Sequence, residues 1–309
     1  MQDLKAADGH TVVDFWWDVE GRTTVHEDYH KLIRSIRRRK PTSLPPTLIV
    51  AGDFDLFQGS ALKKSVVVVG NIPAKPLADA SDEELASPSS VINKWSQHSE
   101  YKITLEERAR IPIGKHVIND THFRCDKPNV LKHFAEVAGY TSSVDPNSFS
   151  GVAVSKSSRH AHDGRIVRLP QSGVDDNLVY ERLLDNSIGH NLVFDIRLGV
   201  LLGIATHAYI KFRHRHHRFA NINIKAFLFS PSELLSSEEI DLCLRFCDRI
   251  GLEYGELDII RDRGSNRIYI IDTNNTPAGP PKALKLDQQY AAREMIWQAF
   301  RRSAFKGII

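Results

Sequence analysis

Apolar runs about six residues long alternate with stretches of helical period along most of the chain. TLIVAG (47–52) and SVVVVG (65–70) read as buried strands closed by glycine, and DYHKLIRSIRRRK (28–40) as a helix ahead of the breaker PTSLPP. The stretch from about Asp79 to Glu106 is polar, with SDEELASPSSVINKWSQ helical in parts and looped around Pro88. From about residue 115 the texture changes. Strand KHVIND, loop THFRCDKP and helix NVLKHFAEVAG are followed by strand GVAVSK, the polar turn SSRHAHDG, and strands RIVRLP and NLVYERLL. The pair LVFDIRLGVLLG and ATHAYIKFR and the strand NINIKAFLF come next. SELLSSEEIDLCLRFCDRIG is then the clearest amphipathic helix, with Ile240, Leu244 and Cys247 on one face and Gly251 as its stop. ELDIIRD and RIYIID make a hairpin-like pair joined by RGSN. The pattern predicts an α+β fold built on antiparallel sheets, preceded by an α/β N-terminal part.

Composition adds bounds. The chain of 309 residues, 41% hydrophobic and 26% charged, fits a globular protein with a sizeable core, at about 100–200 residues per domain. A net charge of +3 names no partner by itself, but RSIRRRK (34–40) and KFRHRHHR (211–218) concentrate basic residues, the first of them read as a solvated face. The cysteines, Cys125, Cys243 and Cys247, are odd in number and lack a repeated CxxC, which suits a reducing compartment. The N-terminal stretch has no basic segment followed by an apolar one, and no window approaches the roughly 18 apolar residues of a spanning helix. A cytoplasmic protein without a membrane partner is expected.

The candidate chemistry sits at strand ends. Asp258 lies in the first strand of the last pair, and Asp272 and Asn274 close the second in IIDTNNTPAGPP. Residues two apart share a strand face, so Asp272 and Asn274 can project together, with Asp258 across from them. Oxygen ligands without sulfur or imidazole suit Mg2+, which keeps waters and takes phosphate oxygens. DTNNTP can equally be a plain turn, since Asp, Asn and Pro favour turns for local reasons. Lys127, at the start of a helix, and Lys156, at the end of GVAVSK before a polar turn, are placed to grip phosphate, although either alone also reads as a surface residue. GxxxxGK[ST] and GxGxxG are both missing from the sequence.

The ordered set DK plus helix, VSKS, a polar DG loop, YERLLDN, DIR, RFAN, GELD and IDTNNTP resembles the ATP-grasp family over about residues 115–284. The resemblance implies a two-lobe fold holding ATP, with lobes over about 115–185 and 186–290, a C-terminal helix at 291–305, and a separate N-terminal domain over 1–114. It implies Asp258, Asp272 and Asn274 as Mg2+ ligands, Asp272 standing where many members carry Glu. It implies Lys127 and Lys156 as phosphate contacts, and Glu181, Arg182, Leu183 and Leu184 as the hinge strand against adenine. Asp185 is the candidate for the ribose hydroxyls, and Arg197 for the transferred phosphoryl group. Arg218 and Asn221 follow from RFAN, which exchanges the first two residues of the commoner FRxN. The implied activity is that of an ATP- and Mg2+-dependent ligase. It would activate a small-molecule carboxylate as an acylphosphate for attack by an amine or another nucleophile, with Lys156, Arg197 and Arg218 as its catalytic cations.

Three functional classes stay open at this level: such a ligase, phosphoryl transfer to a non-carboxylate acceptor on the same scaffold, and a non-enzymatic module binding an anion or nucleic acid through the basic segments. Nucleic acid is the least expected partner, and oligomeric state is not readable. His214, His216 and His217 could form a metal site, a basic lip for an anionic ligand, or a solvated strand end; on a strand, His214 and His216 would share a face. Cys243 and Cys247, spaced i, i+4, read as buried small apolar residues, and Trp16 and Trp17 as core or as the lining of an acceptor pocket. The C-terminal helix could be core or dimer surface.

Overall fold

The computed structural model describes residues 46–95, 103–121, 126–158, 164–170, 174–175, 177–220 and 222–306. The readings made for Trp16 and Trp17, the helix and basic run at 28–40, Cys125, most of the turn after Ser158 and Asn221 lie outside these residues.

A first, four-stranded parallel sheet has the order β2-β1-β3-β4, with β1 Thr47–Gly52, β2 Ala74–Pro76, β3 Ser90–Trp95 and β4 Val117–Ile118. Two expectations fail here. SVVVVG is not a strand: Lys63–Val69 is a π-type helix, whose exposed side tolerates Val68 while Ser65 and Val66 are buried. SVINKW is not loop or helix but a wholly buried strand, β3. Its buried Lys94 is satisfied by donating to the Asp120 carbonyl at 3.0 Å, and burial lowers its pKa.

A three-stranded antiparallel sheet follows, order β6-β5-β7, from β5 Gly151–Ser157, β6 Arg165–Leu169 and β7 Leu178–Arg182. The central sheet runs β11-β10-β9-β12-β13, all antiparallel, with β8 Ser187–Ile188 against β9. Its strands are β9 Leu192–Leu201, β10 Ile204–His214, β11 Lys225–Phe229, β12 Tyr254–Arg261 and β13 Ile268–Asn274.

Strict alternation divides the central sheet into two unlike faces. Phe194, Ile196, Leu198, Ala208, Ile210, Phe212, Leu257 and Ile259 point to one side, where they form the main core with α1 (Lys127–Ala138) and α2 (Ser237–Arg249). Helix α1 begins on Asp126, whose side chain accepts from Asn129 N at 3.1 Å, and ends at Gly139 in the left-handed region, φ 75°. On α2 the buried face is Leu242, Cys243, Phe246 and Cys247, one step round from the expected stripe, so Ile240 and Leu244 are only partly covered. Both cysteines are buried, and burial pushes the Cys243 thiol up.

The opposite face carries the charges. Its far end is closed by α3 (Leu286–Ser303), whose Ile296, Trp297 and Phe300 join Leu201 and Tyr254 of the central sheet to Leu48, Val50, Phe57 and Trp95 of the first. The C-terminal helix is therefore core. Asn119, at φ 64°, adds a polar clasp: its side chain donates to Tyr254 O and accepts from Glu253 N and Tyr254 N, each at 2.9 Å, which fixes the start of β12 against the end of the first sheet.

The seam beside α3 is tight. A Cβ on Gly70 would lie 2.6–2.7 Å from the Trp297 ring and 2.6 Å from the Val66 carbonyl. Gly70→Ala is expected to destabilise the protein by about 1–3 kcal/mol, read as a lowered urea midpoint at unchanged slope.

Candidate active site

A cleft opens between the β5–β7 sheet and the charged face of the central sheet. Its walls include Lys127, Lys156, Glu181, Arg182, Leu183, Leu184, Asp195, Arg197, Lys211, Arg213, Arg218, Asp258 and Asp272. The topology explains the convergence. Across the central sheet, Tyr209 on β10 stands opposite Arg197 on β9, Arg197 opposite Asp258 on β12, and Asp258 opposite Asp272 on β13. Below this row, Lys211 stands opposite Asp195, and above it His207 opposite Gly199, Gly199 opposite Glu256, and Glu256 opposite Asn274. A bulge between Asp258 and Ile259 shifts the register of the hairpin, and both Ile260 and Ile271 line the cleft.

Asp258 is the electrostatic hub. Its Oδ1 accepts from Arg197 Nε at 2.8 Å and Lys211 Nζ at 3.0 Å, and its Oδ2 from Arg197 Nη2 at 2.8 Å. Burial works against its ionisation, but Arg197 and Lys211 outweigh it and hold the carboxyl far below the usual carboxylate range. Lys211 also pairs with Asp195 Oδ2 at 2.7 Å, and Arg213 reaches Asp195 Oδ1 at 2.7 Å.

Asp272 behaves oppositely. Burial and the neighbouring Asp258 charge raise its pKa, while Lys127, the amide of Thr273 and Lys156 pull it back. A buried carboxylate facing a second one is the arrangement a divalent cation relieves. Among the described residues no group of three or more His, Cys, Asp or Glu side chains gathers as a metal site. Of the four carboxylates that line the cleft, Asp258 and Asp272 stand opposite each other, an oxygen pair of the kind Mg2+ accepts when phosphate oxygens and water fill its remaining positions.

The other expected residues divide. Lys156 lines the cleft and is held by Glu181 at 2.6 Å; Glu181 is fixed in turn by the Ser142 hydroxyl at 2.7 Å. Arg182 packs its guanidinium over the Tyr269 ring and donates to that hydroxyl. Arg218, also in the cleft lining, donates to the Leu184 carbonyl at 3.2 Å and to Asn186 Oδ1 at 2.7 Å. Its pKa is lowered by burial and by Arg215. Asn274 is not among the cleft walls: its Oδ1 accepts from Thr276 N at 2.9 Å, a local turn. Asp185 also stands outside the lining, exposed, and accepts from Ser187.

Lys211, Asp195 and Arg213 are the residues that sequence reading missed. KFRHRHHR presents Lys211 as one of several basic residues, whereas the two-residue period of β10 turns Tyr209, Lys211 and Arg213 inward together. His214 ends strand β10, whereas His216 and His217 leave it in the 3-10 turn Arg215–His217; the His214 and His216 rings stack with centroids 5.4 Å apart.

No family model matches the chain, and no curated protein matches it in sequence. Solved structures do. ATP-grasp ligase PsnB complexed with minimal precursor, Mg and ADP superposes with a TM-score of 0.51 at 14% identity, covering 83% of this chain and 99% of that one. The same enzyme with minimal precursor gives 0.51 at 13% identity, with 82% and 99% covered. The fold is ATP-grasp. D-alanine–D-alanine ligase from Bacillus anthracis superposes at 0.49, with 13% identity and 85% and 98% covered. In this fold the β5–β7 sheet and the central sheet face each other across the cleft, and the parallel sheet β1–β4 packs on the central sheet through α3. Among the described residues no helix is long and apolar enough to cross a membrane.

Proposed function

We propose that the chain is an ATP-dependent ligase that phosphorylates a carboxylate and passes the resulting acyl group to an amine. The observation that carries this reading is the cleft itself. Lys156 comes from the β5–β7 sheet, Lys127 from the start of α1, and Asp258 and Asp272 with Arg197 and Lys211 from the central sheet, and all of them face the same space. PsnB, of the same fold, takes Mg, ADP and a precursor.

The adenine lies against Glu181 to Leu184, with Leu183, Ile260 and Ile271 as apolar walls and Arg218 holding the Leu184 carbonyl. Asp185 and Asn221 are assigned to the sugar and phosphate end by the resemblance alone. Lys127 and Lys156 bind phosphate oxygens as point charges, and Lys211 adds a third ammonium that the Asp195 and Asp258 carboxylates hold upright. Asp258 and Asp272 would hold Mg2+, with Asn274, whose Oδ1 here accepts from Thr276 N, as the third candidate ligand; the metal would supply positive charge against the β and γ phosphates. Arg197 faces the transferred phosphoryl group, where positive charge on the equatorial oxygens stabilises the transition state. A carboxylate acceptor is already nucleophilic at neutral pH and needs no general base. The first sheet and its neighbours select the acceptor.

The reading predicts ligand-linked stability. A non-hydrolysable ATP analogue with Mg2+, at about 100 times its dissociation constant, is expected to stabilise the fold by about 2.7 kcal/mol. Thermal unfolding with and without Mg2+ measures it. No shift under any condition sinks the reading.

A further inference from the structure

Glu256 is a buried carboxylate. It is 2% exposed, and among the described residues neither of its oxygens has a hydrogen-bond partner. Arg197 Nη1 stands 3.4 Å from Oε2, and His207 Nε2, which among the described residues has no hydrogen-bond partner either, stands 3.7 Å from Oε1. Leaving a buried carboxylate this way costs stability unless another state of the protein uses it.

The neighbouring row shows which state. Glu256 lies two residues before Asp258 on β12, so both side chains leave the same face. Arg197 is shared between them, bound through two hydrogen bonds to Asp258 and only within ion-pair distance of Glu256. Both oxygens of Asp258 are engaged by the guanidinium. A divalent cation on Asp258 competes with Arg197 and Lys211, because their three hydrogen bonds fill most of the carboxylate's acceptor sites and like charges repel. Movement of Arg197 relieves that competition, and a buried guanidinium needs a carboxylate to move to. Glu256 Oε2 is already 3.4 Å from Arg197 Nη1. Gly199, its register partner, adds no side chain between them; a Cβ there would already lie 2.2 Å from the His207 ring.

Resting on the proposed metal site, we infer that Glu256 is the positioning residue for Arg197. It receives the guanidinium when Mg2+ takes Asp258, which frees the metal ligand and leaves Arg197 facing the phosphoryl group. With Arg197 on Glu256 and Lys211 on Asp195, Asp258 and Asp272 would be available to hold the metal.

Mn2+ binding tests this, followed by the electron paramagnetic resonance of free Mn2+ with a non-hydrolysable ATP analogue, on wild type, Glu256→Gln and Glu256→Asp. Glu256→Gln is expected to weaken Mn2+ about tenfold, which is 1.4 kcal/mol. Its affinity for the analogue in EDTA and its unliganded Tm should not fall, and Glu256→Asp should recover part of the Mn2+ affinity. Mn2+ affinity within about threefold of wild type in Glu256→Gln overturns the assignment. So does a lowered unliganded Tm together with lost nucleotide affinity, which marks a purely structural ion pair. A wild type that binds neither analogue nor Mn2+ fails the ligase reading itself, and that failure is read from the wild-type arm alone.

Discussion

Asp272→Asn is expected to lower ADP formation by about 100- to 1000-fold while leaving the unliganded protein at least as stable as wild type. The two halves have one cause. Asp272 is buried beside Asp258, and its pKa is raised by burial and by that neighbour. Its folded pKa therefore lies above the ordinary value of 3.8, so the folded state binds more protons than the unfolded one between those two values. Stability contributed by protonated Asp272 is present below 3.8 and lost as pH rises through the folded pKa, so at neutral pH the ionised group is a net cost. An amide removes that cost and with it the affinity for a cation. Urea denaturation at pH 4 and pH 7, beside an ADP-release assay with a panel of carboxylates and amines, measures both halves. Turnover retained in Asp272→Asn removes Asp272 from the metal site; a marked loss of stability at neutral pH refutes the unfavourable charge.

The sequence made the central sheet readable because its alternation is strict. DIRLGV and AYIKFR turn apolar residues to one side and charged residues to the other, and no competing helical period intrudes. The hairpin carboxylates were readable for the same reason, since a register of opposed strands places Asp258 across from Asp272. Lys211 was not, because a basic run hides which of its members points inward until the strand's phase is known. Nor was β3: Asn93 and Lys94 interrupt its apolar pattern, and only the first sheet's burial of both faces explains their tolerance. SVVVVG misled in the other direction, since β-branched residues favour strands until tertiary packing, here against Trp297, dictates a helix. Asn274 illustrates a third limit. Two-residue spacing puts it on the face of Asp272, but its oxygen is taken by the backbone two residues on, a local bond that strand geometry does not foresee.

Asp258→Ala tests the other carboxylate and is expected to act on stability with the opposite sign. Asp258 accepts three hydrogen bonds from Arg197 and Lys211, and its pKa is depressed. The stability it contributes is fully present above the ordinary value of 3.8 and is lost as pH falls towards the depressed folded value. Truncation leaves two buried cations short of a partner, a loss that runs to about 3–5 kcal/mol when a buried pair is broken. Lys211 keeps Asp195 at 2.7 Å and Arg197 keeps Glu256 at 3.4 Å, so the lower end, about 3 kcal/mol, is expected. At roughly 2–4 °C per kcal/mol, that is a fall of about 10 °C in Tm. Both Asp258→Ala and Asp272→Asn should abolish the Mg2+-dependent nucleotide shift, so activity cannot separate them; only stability can. Equal and opposite-signed changes would assign Asp258 to the scaffold as well as to the metal, and Asp272 to the metal alone. A Tm for Asp258→Ala equal to that of wild type would mean that Arg197 and Lys211 find new partners at no cost, and the charged row of the sheet would lose its role as a structural element.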